Sequence, residues 1–127
     1  MAPPTLPSHE AVAVVLPAYN EAGNLTPLIT KIVTACRHTS ILLRVIVVDD
    51  GSRDGTTEEL VTLKPTVPEL SVVLHETNRG LAAALKTGIA EARSSGCAAA
   101  VFMDSDLSHD PEDVPRLVKA LWEGADV

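Results

Sequence analysis

Leu43-Arg44-Val45-Ile46-Val47-Val48-Asp49-Asp50-Gly51-Ser52 is the stretch that decides the fold. A β-branched, apolar run stops abruptly at two carboxylates and a glycine. Such a run reads as a strand buried on both faces. The same design recurs along the chain. Ala11–Leu16 is closed by Pro17, Leu70–His75 by Thr77-Asn78-Arg79-Gly80, and Ala98–Met103 by Asp104-Ser105-Asp106. Helical spacing fills the gaps. Leu25, Leu28, Ile29, Ile32, Val33 and Cys36 recur at steps of three and four. Thr56 and Glu59 have the spacing of a capping box, which predicts a helix to about Lys64, stopped by Pro65 and Pro68. A small-residue helix is predicted over Leu81–Ser94, with Leu81, Leu85, Ile89 and Ala92 on its buried face. Its alanines and Gly88 allow close packing on a sheet. A last helix is predicted over Pro111–Trp122, capped by Asp110, with Val114, Leu117, Val118 and Leu121 buried.

Strands that alternate with helices predict an α/β fold: an open, mainly parallel sheet, right-handed crossovers, and helices on both faces. In such sheets ligands bind beyond the carboxyl ends of the strands. The polar clusters Asn20 and Glu21, Asp49 and Asp50, Asn78 and Arg79, and Asp104 and Asp106 all fall there. The fold would gather them to one edge.

Composition narrows the functions. The chain has 127 residues, enough for one core. Tyr19, Phe102 and Trp122 are its only aromatics, and its formal net charge is −7. Both facts argue against nucleic acid as a partner. Cys36 and Cys97 fit no metal or redox spacing and read as reduced core thiols. Residues 1–10, with Pro3, Pro4 and Pro7, read as a flexible tail rather than a signal peptide. No apolar run has the length of a membrane span. The default compartment is the cytoplasm.

Asp104 and Asp106 stand two apart just after a strand, so both carboxylates face one side. Like charges so placed repel unless a cation sits between them, and hard oxygen donors suit Mg²⁺ or Mn²⁺. They are too close in sequence to flank a glycosidic bond as an acid–base pair. Asp49 and Asp50 have two readings: accepting hydrogen bonds from a base edge or ribose, or capping the turn at Gly51. Tyr19 could stack on a planar base or pack at the sheet edge. Arg53, Arg79 and Lys86 are candidates for phosphate contact, Arg79 foremost because it lies in a strand-end loop. His109 has the same two readings, phosphate contact or exposed loop.

The motifs Val14-Val15-Leu16-Pro17-Ala18-Tyr19-Asn20-Glu21, Val47-Val48-Asp49-Asp50-Gly51-Ser52-Arg53-Asp54-Gly55-Thr56, Asn78-Arg79-Gly80-Leu81 and Met103-Asp104-Ser105-Asp106-Leu107-Ser108-His109 together resemble glycosyltransferase family 2, in particular its polyprenyl- or dolichyl-phosphate mannosyltransferases. The resemblance covers nearly all of the chain after the tail. It implies a GT-A (Rossmann-like) fold, a nucleotide-sugar donor (GDP-mannose, with UDP-glucose the alternative) and inverting transfer to a lipid-phosphate acceptor. By position, it implies nucleotide contacts from Pro17, Ala18, Tyr19, Glu21 and Asp50, with Val48 and Asp49 lining the base pocket. It implies a DXD metal site at Asp104 and Asp106. Ser108 stands where that branch often carries a Gln that joins the metal shell; the shorter side chain implies an intervening water.

The family's catalytic domain is longer, so residues 11–127 read as its N-terminal part, with acceptor site and any membrane-facing segment beyond it. This half would bind nucleotide and lack turnover by itself, at the cytoplasmic face of a membrane where the whole domain docks. A receiver-like signalling module of similar size fits less well. Its acid pair would follow the first strand and a lysine would end a later one, whereas here the pair follows the second strand. A nucleotidyltransferase would want a Gly- and Arg-rich loop after the first strand, and a dinucleotide oxidoreductase a G-x-G-x-x-G. Pro17–Glu21 is neither.

Overall fold

The computed structural model describes residues 11–39, 41–104 and 114–116. Its elements are β1 (Ala11–Ala18), α1 (Leu25–Arg37), β2 (Leu42–Asp50), α2 (Thr56–Leu63), a 3-10 turn at Lys64–Thr66, β3 (Leu70–His75), α3 (Leu81–Ser94) and β4 (Cys97–Phe102). The strands form one sheet in the order β3-β2-β1-β4, and every neighbouring pair is parallel. This is the predicted α/β architecture. Of the helix predicted over Pro111–Trp122, only Val114–Arg116 is described; it is helical, with Val114 buried.

The central strands β1 and β2 alternate their side chains between two apolar layers. Val12, Val14, Leu16, Val45 and Val47 pack with Leu25, Leu28, Ile29, Ile32 and Leu60, so α1 and α2 cover one face. Ala13, Val15, Ile46 and Val48 pack with Ala84 and Ala92 of α3 on the other. Burial on both faces explains why these strands show no polar alternation.

Two strands run further than their sequence suggested. β1 continues through Pro17, paired with Val48, to Ala18, paired with Asp49. Val15 accepts a bond from Met103 on the β4 side. Pro17, two residues on, turns its missing N–H to that same side, past the last β1–β4 pair, Val15 with Phe102. The proline therefore costs no ladder bond. β2 likewise carries Asp49 and Asp50 inside the strand, opposite Leu74 and His75.

The predicted buried face of α3 is corrected. Ala84, Gly88 and Ala92 face the sheet, whereas Leu81 and Ile89 are exposed. The helix lies so close to β1 that a Cβ on Gly88 would overlap Val15 Cγ1. Small residues win this face because larger ones would lift the helix off the sheet.

The capping-box expectation also changes. Thr56 Oγ1 does not cap its own helix; it accepts the Glu21 N–H at 2.9 Å. Glu59 reaches to the other helix of its layer instead. Its oxygens accept the N–H groups of Gly23 and Thr26, each at 2.7 Å, and so cap the start of α1. Cys36 is buried and Cys97 half-buried, both as free thiols. Burial, assisted by the Glu69 charge, pushes the Cys36 thiol up to about 11, which keeps it unreactive.

Gly88→Ala tests the close contact. Helix propensity alone would make it stabilising by about 1 kcal/mol. Overpacking against Val15 is expected to outweigh this, at about 1–3 kcal/mol, for a net loss of up to about 2. Urea unfolding measures the sign; an unchanged or raised midpoint would mean that the helix backs away freely.

Candidate functional site

β2 and β3 lie on one side of β1, and β4 on the other. The strand order therefore reverses at β1, the switch point where open α/β sheets form a crevice. A cleft of about 250 Å³ opens at this place. Its wall is Pro17, Ala18, Tyr19 and Glu21 from the end of β1, Asp50 from β2, Asn78, Gly80, Leu81 and Ala84 from the β3–α3 turn, and Asp104 after β4. Four clusters scattered in the sequence thus meet at one sheet edge.

The loops holding the cleft are tied to each other by side-chain-to-backbone bonds. Asn20, at φ 54°, donates its N–H to Ser52 Oγ at 3.0 Å, and its Oδ1 accepts the Arg53 N–H at 2.9 Å. Glu21 N–H goes to Thr56 and Ala22 N–H to Asp54 Oδ2. Gly51 has φ 76°, and a Cβ there would stand 2.6 Å from Asn78 N and Thr77 C. Only glycine permits that turn and lets the β3–α3 loop rest on it.

Asp50, on the wall, is bonded through both of its carboxylate oxygens. Oδ1 accepts the Arg79 N–H at 2.9 Å and lies 2.8 Å from His75 Nδ1. Oδ2 accepts the Gly80 N–H at 2.9 Å. Burial by itself would raise this carboxyl's pKa; the bonds from His75, Arg79 and Gly80 more than offset it and hold the pKa below the ordinary range. The adjacent N-terminus of α3 favours the same anion. His75 Nε2 in turn lies 2.8 Å from Thr87 Oγ1.

Asp49 points to the opposite face. Its Oδ1 accepts the Ser52 N–H at 3.1 Å and its Oδ2 the Thr57 hydroxyl. It is the turn-capping residue, and it is not on the cleft wall. Val48 is fully buried in the α3 layer and also lies off the wall. Asp49 and Asp50 face opposite layers because residues one apart on a strand do so, whereas Val48 shares the face of Asp50 and lies beneath α3. Tyr19, on the cleft wall, is 48 % exposed. Glu21 Oε2 accepts a bond from Asn24 Nδ2 at 2.9 Å. Arg53, Arg79 and Lys86 are exposed, and none of the three is on the wall. Asp106, Ser108 and His109 lie outside the described residues.

Among the described residues no cluster of three or more His, Cys, Asp or Glu side chains is assembled for a metal. Asp104 does place a carboxylate, a hard oxygen donor, on the cleft wall at the end of β4. That chemistry suits Mg²⁺ or Mn²⁺, so the described part of the expected donor set fits such a cation. In the sequence His75 stands only as the last residue of a strand. Its meaning appears only with the register that sets Asp50 beside it.

Comparison with known proteins agrees with this geometry. The sequence profile of Glycosyl transferase family 2 matches residues 13–127. The undecaprenyl-phosphate 4-deoxy-4-formamido-L-arabinose transferase of Aeromonas hydrophila is 39% identical over 118 residues, 91% of this chain and 35% of that protein. The polyprenol monophosphomannose synthase of Mycolicibacterium smegmatis is 37% identical over 126 residues, 98% of this chain and 46% of that protein. The chain therefore spans less than half the length of these relatives. Among solved structures, the Pyrobaculum calidifontis mannosyltransferase PcManGT in complex with GDP-Man and Mn²⁺ superposes with a TM-score of 0.63 at 29% identity, covering 94% of this chain and 34% of that one. The Mycobacterium tuberculosis glucosyl-3-phosphoglycerate synthase in complex with UDP gives a TM-score of 0.69 at 28% identity, covering 91% and 41%. The chain belongs to glycosyltransferase family 2, and its sheet is the GT-A type of these neighbours.

Asp50→Asn turns an amide N–H toward backbone N–H donors. It is expected to cost about 1–3 kcal/mol at neutral pH, the scale of a buried donor left without its acceptor. The wild-type contribution is present in full above the unfolded Asp pKa, about 3.9, and fades as pH falls through the lower folded value. Chemical unfolding at pH 7 and pH 3 should show the mutant's deficit shrinking in acid. A constant deficit would assign it to packing rather than charge.

Proposed function

We propose that this chain is the donor-nucleotide part of an inverting glycosyltransferase that moves a sugar, mannose, from a nucleotide-sugar to a polyprenyl phosphate. The observation that carries the reading is the cleft at the β1 switch point, with Tyr19, Asp50 and Asp104 on one wall. The two curated relatives support the acceptor class, since both names specify polyprenol-phosphate sugar transfer. GDP-mannose is the favoured donor because of the GDP-Man complex of PcManGT, with UDP-glucose the alternative.

Tyr19 offers its exposed ring to the base. An ionised carboxylate has about four acceptor sites. Three of those on Asp50 are filled by His75, Arg79 and Gly80, leaving one on Oδ2. That site can accept a ring N–H or a ribose hydroxyl. Asp104, with Asp106 and Ser108, would hold Mg²⁺ or Mn²⁺ against the diphosphate. When bound, such a cation supplies charge neutralisation for the leaving group. In the transfer, a lipid-phosphate oxygen forms the new bond at the anomeric carbon. The bond from that carbon to the nucleoside diphosphate breaks on the opposite face, and the nucleoside diphosphate leaves with the electron pair. A phosphate acceptor with a second pKa of about 6 is already anionic, so the chain needs no general base for it.

The acceptor would bring the protein to a membrane surface. No helix among the described residues is long and apolar enough to cross one. The chain covers a minor part of its relatives, and nucleotide binding without turnover is the behaviour expected of these residues alone.

Calorimetry tests the reading. GDP or UDP should bind more tightly with Mn²⁺ present, and the double variant Asp104→Ala, Asp106→Ala should lose that gain while remaining folded. Equal affinity with and without Mn²⁺ in the wild type would overturn it.

A further inference from the structure

We propose that His75 and Thr87 are positioning residues of the nucleotide site, acting through Asp50; this rests on the reading of the cleft as a nucleotide site. The starting point is how little holds a carboxylate in orientation by itself. The terminal torsion of Asp is broad and two-fold, and so is that of His. An Asp50 bonded only to the Arg79 and Gly80 N–H groups could pivot and exchange its oxygens. His75 removes that freedom, with Nδ1 at 2.8 Å from Oδ1. Facing an ionised carboxylate, that nitrogen must donate. Oδ1 then carries two donors and Oδ2 one, so the unfilled acceptor site is assigned to a single oxygen.

Thr87 fixes the ring in turn. Its hydroxyl is 2.8 Å from His75 Nε2, and its β-branched side chain is stiff on a helix. It sits in the second turn of α3, the helix held against the sheet by Ala84, Gly88 and Ala92. The line α3–Thr87–His75–Asp50 therefore ties a rigid element to one atom on the cleft wall. The His75 and Asp50 side chains are only 4% and 6% exposed, so water competes weakly for these bonds. The Asp–His–Thr connectivity is that of a nucleophile relay. Neither His75 nor Thr87 is on the cleft wall, however, and the relay has no path to a substrate. Orientation is what it can deliver.

The test uses the ¹⁵N-labelled chain in four variants. Thr87→Val keeps shape and removes the hydroxyl; Thr87→Ser restores it. His75→Asn keeps a donor near the Nδ1 position; His75→Phe keeps the ring and removes both nitrogens. Titration with GDP or UDP and Mn²⁺ should show Thr87→Val binding about 3–10-fold more weakly, the worth of one hydrogen bond, with Thr87→Ser recovering most of it. His75→Phe should lose more than His75→Asn. In the free protein, the Arg79 and Gly80 amide signals and the His75 ring ¹⁵N signals should move in Thr87→Val and return in Thr87→Ser. Equal losses in Val and Ser, or in Phe and Asn, would overturn the proposal, as would wild-type affinity and unmoved signals in Thr87→Val. A wild-type chain that binds neither nucleotide would overturn the functional reading instead, while the free-protein signals still decide whether His75 and Thr87 hold the loop.

Discussion

One buried carboxylate organises the cleft. Asp50 closes β2, receives the two N–H groups that lead into α3, and meets the last residue of β3 through His75. Strand, loop and helix thus share one anion. Removing a charge from water is expensive, and here it is repaid by three directed donors and a helix N-terminus. The neighbouring Gly51 is bound by the same constraint. Its missing side chain lets Thr77 and Asn78 come close enough for the next two N–H groups to reach Asp50.

A second set of bonds builds the other side of the cleft. Asn20, Glu21, Ala22, Gly23 and Thr26 are laced to Ser52, Arg53, Asp54, Thr56 and Glu59 through backbone and side-chain groups. Much of the polar motif after β2 therefore maintains the loop after β1. Asp54 and Glu59 are held below their ordinary ranges by this work: Asp54 chiefly by Thr56, and Glu59 by Thr26 and Gly23 against the opposing effect of burial. These residues are conspicuous in the sequence for reasons of architecture, and they leave Tyr19, Glu21, Asp50 and Asp104 to face the cleft.

This division sets what the sequence could reveal. Apolar runs between turn formers marked the strands to within one or two residues, because burial on both faces leaves a continuous signal. Helical rotation was harder. Leu81, Leu85 and Ile89 have core-like spacing, yet Ala84, Gly88 and Ala92 take the sheet, since the distance to Val15 decides and spacing does not carry it. Pro17 stayed inside its strand because β4 stops short beside it. The clusters at the strand ends were legible; the split between Asp49 and Asp50 was not. Adjacent residues look alike in a sequence but face opposite layers of a sheet. His75 was invisible for a related reason: its partner is 25 residues away and meets it only through register.

The electrostatics of the wall complete the functional argument. Its described charged groups are Glu21, Asp50 and Asp104, all acidic, and no Lys or Arg stands among them. A nucleoside diphosphate adds further negative charge a few ångströms away. Opposed unit charges at 4 Å differ from like ones by about 8 kcal/mol at an effective dielectric of 20, so an unbridged diphosphate would be repelled from the proposed site. Asp50 does not contribute equally to this repulsion, because its donors and the α3 terminus already compensate it. Asp104 sits at the same sheet edge after β4, across β1 from Asp50, where a divalent cation would turn repulsion into attraction. The proposed site thereby separates its two tasks: a carboxylate held by three donors for the nucleoside, and a second, at the end of β4, for a metal and the phosphates.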